Sequence, residues 1–244
     1  MEKVKVKIIT IGTLPALFQS DKLKDWKSDV FEIQGVIENI ALRDDSDLPN
    51  WEFSDELILS NFPKDLNCDI TLAIVNFPIE DNWYSRRLGN NKVVFTFYDT
   101  KDILEHCSIP LENAVYRMLY AYSLMYKRTG GKIPPIASQL KFTHDETRGC
   151  IFDMNGIKMD LSASCSTTIL CDECEETLKR EKISAQIINS VKKEIKKIKR
   201  TLYYRIFYLV KHHPIKSLAL SSLYAVLLGV TGSITASYIY DAVK

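Results

Sequence analysis

Hydrophobic and polar positions along the chain change period several times, and each change marks an element. VKVKIITIG, residues 4–12, alternates Val with Lys before an apolar run that stops at Gly12, which predicts a buried edge strand or its neighbour. Two further strands are predicted at 69–76 (DITLAIVN) and 92–98 (KVVFTFY), separated by a loop, FPIEDNWYSRRLGNN, that holds Trp83, Arg86, Arg87 and Gly89. Residues 109–128 then keep helical spacing through Val115, Met118, Leu119, Tyr122 and Met125, and Gly130, Gly131, Pro134 and Pro135 punctuate the exit. Strands followed by a long helix and a cysteine-bearing tail imply an α+β domain with a mixed sheet over residues 1–178. No internal repeat or low-complexity segment is present.

Beyond this domain, Ile188, Val191, Ile195, Ile198, Leu202, Ile206 and Leu209 form a seam at spacings of three and four, flanked by Lys192, Lys193, Lys196, Lys197, Lys199 and Arg200. No Pro or Gly occurs between Glu181 and Pro214, so the pattern predicts one long basic amphipathic connector helix over 179–213. From Ser217 to Tyr240 there are 24 residues without an Asp, Glu, Lys, Arg or His. As a helix they extend about 36 Å, against a bilayer hydrocarbon core of roughly 30 Å. Residues 214–244 therefore read as a single C-terminal transmembrane anchor, the alternative being a buried helix of a soluble protein. Lys211, His212, His213 and Lys216 precede the span, and Asp241 and Lys244 follow it. The positive-inside tendency then places the N-terminal domain in the cytoplasm, at the inner (cytoplasmic) membrane of a prokaryotic cell. Ser221, Ala225, Gly229, Ser233 and Ser237 recur every fourth residue as a stripe over which two membrane helices could approach closely, giving a homo-oligomer.

Composition sharpens this picture. A chain of 244 residues with 46% hydrophobic and 26% charged residues folds, and its net charge of +1 conceals a division. Residues 179–216 carry twelve Lys or Arg and two Glu, a charge of +10, whereas residues 1–178 carry −9. That excludes a polyanion binder acting with its whole surface. A basic element next to a span attracts anionic lipid head groups by about 1 kcal/mol per near-surface Lys or Arg. A short coiled coil or a solvated stalk are alternatives. Nucleic acid fits less well, because Tyr203, Tyr204, Phe207 and Tyr208 crowd against the span, where an interfacial aromatic belt belongs. Six cysteines without a secretory signal place the soluble part in a reducing cytosol.

Four of those cysteines, Cys150, Cys165, Cys171 and Cys174, fall within HDETRGCIFDMNGIKMDLSASCSTTILCDEC, residues 144–174. Cys171 and Cys174 form a Cys-x-x-Cys knuckle, and Cys150 with His144 or Asp145 could complete a tetrahedral zinc site; Cys165 is a poorer candidate. A redox dithiol or unliganded thiols remain open. The order of strand, loop, strand and long helix, then H-x5-C-x-x-D-M and L-C-x-x-C, resembles the second half of the archaemetzincin family of zinc metalloproteases, over residues 69–178. In that family a helix bearing HExxHxxGxxH leads into C-x4-C-x-M and a later C-x-x-C. The resemblance implies that the last catalytic His falls on His144, the structural cysteines on Asp145, Cys150, Cys171 and Cys174, and the metal-bearing helix on 112–128. That helix contains no His, and one structural Cys has become Asp145. Glu112 thus has no metal-bound water to act on, so the resemblance implies loss of the protease centre and at most a retained structural zinc.

Phosphate-cradle and nucleophile-elbow motifs are absent. Arg86 and Arg87, beside Trp83 and Tyr84, are candidates for gripping an anionic ligand. The pairs Asp153 with Asp160 and Asp145 with Glu146 read more simply as solvated carboxylates than as acid-base pairs, and His106 beside Cys107 points away from it as a dyad. The function expected is that of a membrane-anchored, non-enzymatic sensor or effector. Its cytoplasmic domain binds a protein partner and its membrane helix oligomerises, a plan like that of prokaryotic antiviral defence effectors that perturb the membrane. The alternatives are a membrane-tethered metal-dependent hydrolase and an adaptor that tethers a cytosolic partner.

Overall fold

The structure is a computed structural model describing residues 2–63, 67–136 and 142–243, and the chain divides into two compact units, Met1–Arg200 and Thr201–Lys244. In the first unit, β1 (Val4–Ile11), α1 (Asp21–Asp25), β2 (Phe31–Ile33), β3 (Glu38–Ile40), α2 (Asp55–Ser60), β4 (Ile70–Val75), β5 (Ser85–Gly89) and β6 (Lys92–Thr96) precede a helical half. That half comprises α3 (Thr100–His106), α4 (Glu112–Arg128), α5 (Leu161–Ser166), α6 (Asp172–Arg180) and α7 (Ala185–Glu194).

The sheet is mixed. β1, β4 and β6 run parallel, with Val6 to Thr10 against Ile70 to Ile74 and Thr71 to Val75 against Lys92 to Thr96. β2 and β3 both lie parallel to β1 along its outer edge, separated by a kink at Gly35, whose φ of +64° suits a residue without a Cβ. All six residues of β4 are buried, as expected of a parallel strand covered on both faces. On one face Val6, Ile8, Leu72, Ile74, Val93 and Phe95 meet α4 and the cysteine-bearing segment. On the other, Ile9, Ile11, Ala73, Val75 and Val94 meet Phe53, Ile58 and Phe62 around α2.

Two sequence expectations are corrected. The predicted loop at 77–91 contains β5, an antiparallel end strand with Ser85 opposite Phe95. Asn90 and Asn91, with φ of 48° and 58°, form the tight return that the right-handed twist of a hairpin favours. The charged sequence SRRLG hid the strand because β5 presents its Arg side chains to specific partners rather than to a uniform apolar face. The second correction concerns the single helix expected over 179–213. The chain turns at Lys182 (φ 62°), forms α7, tightens into a 3-10 turn at Ile195–Lys197, and pairs Lys199 with Thr167. Burial causes the break: Ile187, Ile188, Val191, Ile195 and Ile198 pack into the core. The Glu194 carboxylate accepts hydrogen bonds from Ser28 Oγ (2.7 Å), the Asp29 amide (2.9 Å) and Tyr120 Oη (2.6 Å). Three donors on one buried carboxylate fix the C-terminal end of α7 against the core.

The second unit consists of α8 (Leu202–His212) and α9 (Pro214–Val243). Residues Pro214–Ala242 make a 29-residue helix long and apolar enough to cross a membrane, and none of its most apolar stretch is buried. Several of its hydroxyls bond back to the helix itself: Ser221 donates to Leu218 O (2.8 Å), Thr231 to Leu227 O (2.9 Å) and Thr235 to Thr231 O (2.8 Å). Such back-bonding lets Ser and Thr sit on an apolar helix at lower cost. The proposed packing residues Ser221, Ala225, Gly229, Ser233 and Ser237 are all exposed.

Candidate metal centre

Two short segments converge below the long central helix. Residues 144–153 form a looped ribbon: His144 N donates to Phe152 O, Met154 N to His144 O, and Ile151 N to Ile169 O. Gly149 sits at its apex with φ +77°, and a Cβ there would come within 3.2 Å of Thr167 O. Only glycine takes both the left-handed backbone and the close approach. From the other side, Cys171 occupies the N-cap of α6 and Cys174 lies in its first turn. A helix start aims free N–H groups and the positive end of its dipole at whatever lies there, which favours thiolate over thiol.

The ligating atoms of His144, Cys150, Cys171 and Cys174 lie within 4.8 Å of one another, with the three cysteines from 9% exposed to fully buried or half-buried. His144 Nε2 stands 3.6 Å from Cys171 Sγ. Zinc bonds of about 2.1–2.3 Å set tetrahedral neighbours roughly 3.5–3.8 Å apart, so this spacing suits a shared ion. The His144 Nδ1 atom lies 2.9 Å from the Glu146 carbonyl, which only accepts; the proton therefore belongs on Nδ1, and Nε2 keeps a lone pair for a metal. Asp153 holds the ribbon in place: its Oδ2 accepts from the amides of Arg148 (3.1 Å), Gly149 (2.7 Å) and Cys150 (3.0 Å), while Oδ1 lies 3.5 Å from His144 Nδ1. Arg148 reaches across to Glu173 (2.8 Å) and lies 3.8 Å from Cys171 Sγ.

The electrostatics of the cluster favour a cation. A hydrogen bond from Cys174, aided by backbone amides, holds the Cys150 thiol well below its ordinary range. Cys174 in turn is pushed up, because it faces that thiolate and is buried. One proton shared among thiols this close is what a divalent ion displaces, and four such donors could hold zinc.

Asp145 is exposed and stands outside the cluster, which corrects its inclusion among the ligands. The His144 backbone is paired with Phe152 and Met154, and it is the His144 imidazole, 3.6 Å from Cys171 Sγ, that faces the thiols. Cys165 is fully buried beneath α4, where burial pushes its thiol up to about 12, and it also lies outside the cluster.

Arg86 is corrected as an anionic-ligand candidate. It is buried and engaged by Asp55 (Nε to Oδ1 2.8 Å, Nη2 to Oδ2 2.9 Å), Asp81 (2.9 Å) and Glu80 (3.2 Å). Those three carboxylates already satisfy its fork. Arg87, one residue on and therefore on the opposite face of β5, points instead into a cleft of about 300 Å³ between β5 and α4. Arg117 of α4 lines the same cleft and is 1% exposed. Sequence reasoning missed Arg117, although an Arg one position before Met118 and Leu119, on a face otherwise apolar, was the available signal. Among the described residues that line the cleft, one is of metal-ligating type, Asp153, whose Oδ2 is committed to three amides, and it stands with the guanidiniums of Arg87 and Arg117. A catalytic zinc does not fit there.

The chain is thus an α+β protein with a His/Cys3 cluster suited to zinc and one helix long enough to span a membrane. No protein-family model matches it, and neither does any curated protein. Among solved structures, archaemetzincin from Methanopyrus kandleri is similar over 73% of this chain and 95% of its own, at 11% identity and a TM-score of 0.43. At that level the likeness assigns no activity.

Proposed function

We propose that this protein is a membrane-anchored, non-enzymatic binding module whose globular unit is locked by a structural zinc ion. The observation that carries the reading is the complete donor set: with His144, Cys150, Cys171 and Cys174 all on the metal, no coordination position is left for water or substrate. This argues against the hydrolase alternative, which needs His144 at an open site. The residues would hold zinc by three thiolates and one imidazole, and the ion would supply folding free energy by tying the 144–153 ribbon to the start of α6.

In this reading α9 spans the inner membrane with residues 1–200 on the cytoplasmic side, as the Lys and His residues before the span suggest. The small-residue stripe supports self-association, and the exposed lysines after Glu194 support contact with anionic head groups. A role as an effector that perturbs the membrane, or as a tether for a protein partner, rests on this plan of module plus anchor.

Metal analysis of the detergent-purified full chain tests the core of the reading. One zinc per chain is expected, with Cys171→Ser and Cys174→Ser each losing it together with cooperative unfolding. A chain that melts identically with and without metal overturns the structural role. Membrane leakage by the intact chain and not by one ending at residue 213 supports the effector reading, and equal behaviour of the two removes it.

A further inference from the structure

The cleft between β5 and α4 poses a charge problem that the fold does not solve by itself. Arg117 is 1% exposed; its Nη2 donates to Asp153 O (2.6 Å), and its Nε has no partner among the described residues. Arg87 donates through Nη2 to Ile136 O (3.3 Å), and its buried Nη1 likewise has none. Both guanidiniums act on the phenol of Tyr122, which lies within the cleft and donates to or accepts from Ser85 Oγ at 2.6 Å. Against these two positive charges stands one carboxylate, Asp153, whose Oδ1 is itself without a hydrogen bond. Arg117 is buried, with its guanidinium 5.7 Å from the centre of the Tyr84 ring, and Arg87 is half-buried; their surplus of one positive charge and two unmet N–H groups are costly in an apolar surrounding and are relieved by one incoming anion.

The rest of the lining defines that anion. Met118, Ala121, Met125, Phe142, Phe152 and Met154 make the cleft walls largely apolar, so a bare, strongly hydrated ion such as phosphate gains little there. We propose that this cleft binds a small monocarboxylate with an apolar body, its carboxylate held between Arg87 and Arg117 and its body laid along α4. Guanidinium forks match carboxylate geometry, and flexible methionines accommodate bodies of differing shape. The site uses no zinc ligand and no residue of α8 or α9, although the end of the 144–153 ribbon, Ile151 to Asp153, forms part of its wall.

Calorimetry on the detergent-purified full chain, with blank micelles as reference, tests this using 3-phenylpropionate, 3-phenylpropanol and inorganic phosphate. The acid is expected to bind with a Kd of about 1 mM or tighter, and the alcohol and phosphate at least about tenfold more weakly. Arg87→Met should weaken the acid by about tenfold or more while leaving the alcohol unchanged, with retained zinc content showing that the variant is folded. Arg87→Lys, which keeps the charge but loses the fork, should fall between. Equal binding of acid and alcohol, tighter binding of phosphate, or acid binding indifferent to Arg87→Met overturns the proposal. The comparison of the three probes on the unmutated protein decides it even if neither variant folds.

Discussion

Helices α7 and α8 carry the same kind of sequence, apolar residues at spacings of three and four among Lys and Arg, and they end in opposite environments. Ile188 and Val191 of α7 are 1% and 0% exposed, whereas Ile206 and Phe207 of α8 are 54% and 46% exposed. Periodicity reports which face of a helix is apolar; it does not report what covers that face. In α7 the cover is the protein's own core, reached because Glu194 and the 3-10 turn after it redirect the chain. In α8 and α9 nothing in the second unit buries the apolar side chains among the described residues.

That contrast can be broken by experiment. The largest effect is expected from ending the chain at Arg200: the full chain should sediment with membranes and the shortened one remain in the supernatant, because removing a span removes an effectively irreversible anchor. A full chain that stays in the supernatant without detergent would mean that α9 is covered by protein after all. Within the first unit, Arg86→Ala should cost about 3 kcal/mol by chemical denaturation, since it removes a buried guanidinium and strands the largely buried carboxylate of Asp55, while Glu80 and Asp81 remain in reach of water. Ile188→Ala should cost about 2–4 kcal/mol through the cavity it leaves. Glu194→Gln should cost about 1–3 kcal/mol, because an amide NH2 faces donors that the carboxylate satisfied. The matching change in the second unit, Ile206→Ala, should fall within about 0.5 kcal/mol, and a loss comparable to that at Ile188 would show that α8 packs on a core.

Much of the fold was legible because buried parallel strands leave unbroken apolar runs. Residues 4–12, 69–76 and 92–98 contain β1, β4 and β6, and helical spacing marked α4. The short edge strands β2 and β3 escaped notice, since three residues each give no period to read. β5 escaped because its two arginines serve different faces, one neutralised by carboxylates and the other set in the cleft. At the metal centre, spacing alone grouped His144, Cys150, Cys171 and Cys174, which the fold brings together. The choice between His144 and Asp145 depended on the turn at Gly149, and the anchoring of that turn by Asp153 is a three-dimensional fact with no pattern in sequence.

The kink at Gly35 gives the sheet a further property. Because it splits the outer neighbour of β1 into two three-residue pieces, the sheet ends there without a long straight rim of unpaired amides and carbonyls. A neighbouring sheet meeting this rim finds at most three residues in register before the line of donors and acceptors bends away, too few to template a lasting strand-to-strand contact.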